Sequence, residues 1–205
     1  MNKPIERPVI FSAQEVNAVL AGDKTQHRVI FDFAIMQDYN CPFGEVSDRL
    51  WVQEFHARRE FNDPLVGTHY YADGPLTLDL RHDAGLLINY VAENMPRWAS
   101  RLFLEITDIR MERLNDISEA DAIAEGIKPI HSNPADRVGP NHFTKSNGWY
   151  HCNQPTAAKV FTEMYGVSDD FDKYGENPWV WVIEFKAIQV PLDSIYLRNL
   201  YVCMG

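Results

Sequence analysis

A chain of 205 residues, 45% hydrophobic and 23% charged, has the composition of a globular protein with enough length for one good core and too little for two comfortable ones. No run of about eighteen apolar residues occurs, which excludes a membrane-spanning helix. A formal net charge of −10 argues against strong non-specific nucleic-acid binding through a broad basic face. An acidic body still leaves room for a small basic pocket holding one nucleoside or one flipped base, where backbone phosphates matter little.

The opening "MNKPIERPVIF" lacks the long apolar core of a secretory signal. Cys41, Cys152 and Cys203 are widely scattered and no C-x-x-C occurs, a pattern that fits a reducing compartment and gives zinc no cysteine frame. His131, His142 and His151, beside Cys152, follow no compact zinc spacing. The expectation is a cytoplasmic protein with no metal and no cofactor.

In chain order, "VIF" at 9–11 reads as a short strand, and Ser12 with Glu15 three residues on forms a capping box that starts a helix. Val16, Val19 and Leu20 make its apolar face, and Gly22 is placed to end it. The polar loop inside "LAGDKTQHRVI", 20–30, follows, and "RVIFDF" reads as a second strand. "CPFG", 41–44, is a turn, and "DRLWVQEF", 48–55, alternates Leu50, Val52 and Glu54 against Trp51, Gln53 and Phe55. "THYYADGPLTL" predicts strand, Asp73-Gly74 turn and strand, whereas 81–95 is open between strand and loop with a helical turn.

"PRWASRLFLEITDIRMERL", 96–114, holds the longest strand, with Leu102, Leu104 and Ile106 on one side and Phe103, Glu105 and Thr107 on the other. "DISEADAIAEG", 116–126, predicts a second helix capped by Ser118 and stopped by Gly126. Residues 127–153 show no period and read as a long irregular insertion, a candidate lid. "QPTAAKVFTEMYG", 154–166, predicts a third helix with Val160, Phe161, Met164 and Tyr165 on its apolar face. "PWVWVIEFKAI", 178–188, predicts a final strand with Trp179, Trp181, Ile183 and Phe185 on one face. The pattern is one barrel-like α+β domain.

Three groups carry chemistry. Lys24, His27 and Arg28 follow the first helix; they either complement its dipole or await a carboxylate that makes them a site. Glu125 stands in the last turn of the second helix, where a negative charge opposes the macrodipole by roughly 0.3–1 kcal/mol if exposed. It is either a tolerated surface charge or a general base. In "MPRWASR", Arg97, Trp98, Ser100 and Arg101 form either a guanidinium and aromatic platform for a base or phosphate, or a core tryptophan with two surface arginines. His56 with Arg58 and Arg59 reads as a solvated strand end. No phosphate loop, dinucleotide fingerprint or nucleophile elbow is present.

Four segments in order resemble the ASCH domain family. "LAGDKTQHR" resembles its G-x-K-T signature, and "SDRLWVQE" its G-D-x-L-x-V strand, with Ser47 where glycine is usual. "ISEADAIAEGI" resembles its helix ending in A-x-x-E-G, and "NPWVWVIEFK" its closing strand. "CPFG" and "MPRWASRLFLEITDIRMERL" add a likeness to the phage and prophage branch, and the match spans most of 9–188.

The resemblance implies a PUA-like fold, a small mixed β-barrel with flanking short helices, forming a single domain over 1–205. It implies a nucleoside- or RNA-directed protein, placed in the host cytoplasm if phage-encoded. One small branch hydrolyses N-acetylated cytidine with a lysine, a threonine three residues later and a glutamate of the second helix. Carried over, the lysine falls on Lys24 and the glutamate on Glu125, while the threonine position holds His27. An amidohydrolase would then use Lys24 to polarise the carbonyl and Glu125 to shuttle the proton to the leaving amine. His27 would serve as general base, or Thr25 would supply the hydroxyl. Thr25, Arg28, Arg97, Trp98 and Arg101 would contact the substrate. The alternatives are a non-catalytic reader of RNA or a modified base, a ribonuclease, or an accessory protein docking a host protein through Trp149 and Tyr150.

Overall fold

In a computed structural model of the chain, the described residues are 3–30, 40–59, 68–74, 87–129, 143–145, 148–152, 156, 158–159, 161–162 and 177–188. A five-stranded sheet organises them. Its strands are β1 (Glu6–Ile10), β2 (Gln26–Ile30), β3 (Arg49–Gln53), β7 (Phe103–Arg113) and β11 (Trp179–Ile188), in the order β1-β3-β7-β11-β2. The β1–β3 pair is parallel and the other three pairs are antiparallel. A three-stranded sheet places β4 (His56–Arg59) between β5 (Thr68–Tyr70) and β6 (Leu87–Tyr90). Another places β9 (Phe143–Lys145) between β8 (Ile127–Pro129) and β10 (Gly148–Cys152).

The helix signals act as their chemistry requires. In α1 (Ala13–Leu20), the Ser12 hydroxyl accepts from the Glu15 amide and the Glu15 carboxylate accepts from the Ser12 amide, so both reciprocal bonds of the capping box form. Gly22 takes φ +78, the left-handed turn that lets the chain reverse into β2. In α2 (Glu119–Ala124), Ser118 caps the start by accepting from the Asp121 amide, and Gly126 at φ +94 ends the segment.

Apolar side chains fill both faces of the sheet. Phe11, Val16, Val19, Leu50, Leu104, Ile106, Ile183 and Phe185 pack on the α1 side. Leu114, Ile117, Ala122, Ile127, Phe161, Val180 and Val182 pack on the α2 side. β11 is therefore buried on both faces rather than on the one its tryptophans suggested. Its register with β7 shifts between Glu184 and Phe185, where Asp108 and Ile106 are the consecutive partners and Thr107 has none. This bulge lets Ile106 and Ile109, of opposite parity, both meet the α1-side core. It turns Arg110 and Glu112 to the face that carries Val180 and Val182.

Several expectations change. Residues 127–153 are not irregular throughout, since β8, β9 and β10 pair there through backbone bonds that need no side-chain alternation. Asp73 closes a 3-10 turn, Tyr71–Asp73, and the strand expected after Gly74 lies outside the described residues. The open stretch 81–95 contains β6 and a 3-10 turn, Ala92–Asn94. Of the expected third helix, Ala158, Lys159, Phe161 and Thr162 are helical, while Val160, Met164 and Tyr165 lie outside the described residues. The architecture is mixed α+β. Among the described residues no ladder joins the sheet edges β1 and β2 into a barrel. No described helix is long and apolar enough to cross a membrane.

Candidate functional site

The segment between α1 and β2 is stapled on three sides. The amides of Asp23 and Lys24 both donate to the Ala18 carbonyl, at 2.8 and 3.2 Å. Lys24 forms an isolated antiparallel bridge with Glu125, the Thr25 amide donates to the Ala124 carbonyl at 2.8 Å, and the Phe185 amide donates to the Thr25 carbonyl at 2.9 Å. Backbone bonds thus hold the end of α2 against the start of β2 and bring Lys24 to Glu125.

The Lys24 ammonium donates to Glu125 Oε2 at 2.7 Å and lies 3.6 Å from Glu15 Oε1. The side chains of Lys24 and Glu125 are 1% and 3% exposed. Arg28, with no exposed side-chain surface, donates through Nη1 to Glu125 Oε1 at 3.0 Å and to Gln26 Oε1 at 2.6 Å, and through Nη2 to Glu112 Oε1. Glu125 therefore gives one oxygen to each of two cations. This answers the charge left at the end of α2: cations from β2 and its leader replace the lysine or arginine that the helix dipole would favour there.

The network continues outward. Arg110 donates to Glu112, Asp121 and Glu184, and the Gln26 amide donates to Asp121 Oδ1 at 2.8 Å and Glu184 Oε1 at 3.1 Å. Burial alone would raise the Asp121 carboxyl. Hydrogen bonds from Ser118 and Gln26, with the charges of Arg110 and Arg28, outweigh it and hold that carboxyl below its ordinary value. On the α1 side, His27 Nδ1 lies 3.8 Å from Glu15 Oε1, and its ring meets Phe11 edge-on at 4.9 Å. Thr25 is exposed, and strand alternation separates it from Lys24 and Gln26.

The structure therefore brings Lys24, Arg28 and Glu125 into contact, with His27 reached through Glu15. Glu15, Gln26, Glu112, Asp121 and Arg110 complete the cluster, and sequence reasoning missed them as site residues. Glu15 was accounted for by its cap, although only Oε2 serves Ser12, leaving Oε1 towards Lys24 and His27.

Arg97, Trp98 and Arg101 enter the sheet from a different place. Arg97 donates to Glu6 on the edge strand β1 at 2.6 Å and lies over the Phe103 ring. Trp98 is half-buried in a 3-10 turn, Arg97–Ala99. Arg101 pairs bidentately with Glu54 and through Nη1 with both oxygens of Asp73, and it stacks 4.1 Å above the Tyr70 ring. Burial pushes the Glu54 carboxyl up, partly offset by the hydrogen bonds and charge of Arg101; burial also pushes the Tyr70 phenol up to about 12. His56, read as a solvated strand end, is wholly buried, with its ring stacked on Tyr90 at 5.3 Å. A separate cleft of about 300 Å³ is lined by Lys3, Ile5, Arg7, Glu45, Val46 and Asp48, among others. No group of three or more His, Cys, Asp or Glu among the described residues is arranged to hold a metal ion.

The arrangement is that of a mixed α+β protein with a buried, shared lysine–glutamate–arginine cluster between its second helix and an edge strand. No protein-family model and no curated protein matches the sequence. Two solved structures are similar in chain course. One is protein EF3133 of Enterococcus faecalis V583, described by the family model DUF984: TM-score 0.45, 10% identity, covering 92% of this chain and 82% of that one. The other is an ASCH domain of Lactobacillus crispatus JV V101: TM-score 0.44, 12% identity, covering 91% and 81%.

Proposed function

We propose that the protein is a nucleoside-directed amidohydrolase of ASCH type, on a PUA-like framework, acting on an N-acylated cytidine-type base. The observation that carries this reading is the 2.7 Å contact of Lys24 with Glu125, built from residues 101 positions apart. Water adds to the acyl carbon while His27 takes its proton. The Lys24 ammonium faces the developing oxyanion, where a fixed positive charge in a dry site is worth most. The carbon–nitrogen bond then breaks. Glu125 relays to the leaving nitrogen the water proton that His27 took and now releases, which restores both groups, and the carboxylic acid product gives up water's other proton to solvent. Substrate enters from the Glu15 and His27 side, where those side chains are 14% and 16% exposed. His27 fills the role of the missing hydroxyl, because its Nδ1 lies 3.8 Å from the Glu15 oxygen that also faces Lys24, whereas Thr25 stands exposed. Arg28 holds Glu125 in place, and Arg97 and Trp98 are assigned to more distant parts of a substrate.

The test is turnover of a nucleoside panel, N-acetylated cytidine included, by the purified protein beside Lys24→Ala and Glu125→Gln. Release of cytidine by the wild type, reduced about 100-fold or more by each change, is the expected result. Nucleoside binding without turnover overturns the hydrolase reading in favour of a base-reading module.

A further inference from the structure

Glu15 uses its two oxygens for different purposes. Oε2 accepts from the Ser12 amide at 3.0 Å and the Ser12 hydroxyl at 2.8 Å, which fixes the carboxylate at the first turn of α1. Oε1 lies 3.6 Å from the Lys24 ammonium and 3.8 Å from His27 Nδ1. A carboxylate held only for capping gains nothing from that second direction. Here the cap sets the position of a charge standing between an amine and an imidazole.

We propose that Glu15 is a positioning residue of the site: it couples His27 electrostatically to Lys24 and orients the imidazole as a base. This rests on the hydrolase reading for its chemistry, but the coupling itself does not need turnover to be measured. Glu15 faces His27 from α1, with Lys24 beside it on the leader of β2. Glu125 of α2 lies on the far side of Lys24, and Phe11 and Ile183 supply apolar surroundings. A carboxylate at this distance favours the imidazolium and supports proton uptake from water. Three negative oxygens would crowd one ammonium if both Glu125 oxygens served Lys24. Arg28 takes Glu125 Oε1, leaving Lys24 between Oε2 of Glu125 and Oε1 of Glu15.

The capping box itself supplies the separating variant. Glutamine closes an S-x-x-E/Q box about as glutamate does, so Glu15→Gln keeps the helix start and removes the charge. Ser12→Ala does the reverse, weakening the cap and keeping the charge. The His27 ring titration is followed by NMR in wild type and both variants, without substrate. The midpoint is expected to fall in Glu15→Gln and to stay close to wild type in Ser12→Ala. In turnover, Glu15→Gln is expected to move the acidic limb of the pH–rate profile to lower pH. It is also expected to lower kcat by about 100-fold with little change in KM. An unchanged His27 midpoint in folded Glu15→Gln overturns the proposal. A shifted midpoint in a protein that hydrolyses no nucleoside retires the hydrolase reading and leaves the coupling standing.

Discussion

Arg101 and Arg28 each stand among carboxylates, but they close their bonds in opposite ways. Arg101 fills both oxygens of Glu54 and both of Asp73, and stacks on Tyr70. It fastens the β3–β7 part of the main sheet to the sheet of β4, β5 and β6. Arg28 takes one oxygen of Glu125 and leaves the other to Lys24. In the cluster around it, Lys24, Arg28 and Arg110 meet Glu15, Asp108, Glu112, Asp121, Glu125 and Glu184. A saturated pair admits no ligand without breaking. A chain of shared partners can exchange one contact for another, which is what a site handling protons needs.

The largest effect should separate the two regions directly. Arg28→Met leaves Glu125 and Glu112 short of a buried partner and should cost about 3–5 kcal/mol in urea denaturation. Arg101→Met should cost roughly 2–3 kcal/mol, because part of its side chain stays in water. An Arg101 loss equal to or above the Arg28 loss breaks the comparison.

The pH dependence sharpens it, because the two regions slope in opposite directions. Asp121 is held below its ordinary 3.8, so its contribution is complete above that pH and is lost as pH falls through the folded value. Glu54 is held above its ordinary 4.5, so its contribution is present below that pH and is lost as pH rises through the folded value. In stability measured against pH, Asp121→Asn should flatten the slope below 3.8 and Glu54→Gln the slope above 4.5.

The smallest effect comes from a residue outside both regions. Ser47 sits at φ +78, where the resemblance to the ASCH pattern places glycine. A left-handed L-residue costs about 1–2 kcal/mol, and glycine's extra freedom in the unfolded chain returns part of that. Ser47→Gly should raise stability by about 0.5–1 kcal/mol, read as a higher urea midpoint at unchanged slope.

The local grammar of the fold was legible in the chain. Ser12 and Ser118 start the helices, Gly22 and Gly126 end the segments that follow, and the alternation in 48–55 and 102–106 marks the strands. Lys24 and Glu125 were singled out from the resemblance and from a charge misplaced on a dipole. Their contact was not legible, because it depends on a backbone bridge closed across 101 positions. Gln26, Arg110, Asp121 and Glu184 were missed for the same reason. Arg97 and Arg101, grouped by sequence with Trp98, part to meet Glu6 and Glu54, since neighbours on a turn need not share a direction.

The unpaired Thr107 behaves as a frameshift written in space. Ironing the bulge out, with Thr107 taken into the ladder, would leave every letter of β7 in order. Yet Arg110 and Glu112 would then point into the oil of the α1 side, while Ile109 and Met111 would turn towards α2. The place where the ladder skips a residue, more than the spelling, decides which side of the sheet holds the chemistry. Two chains spelled alike here, one bulged and one regular, would carry their charges on opposite faces.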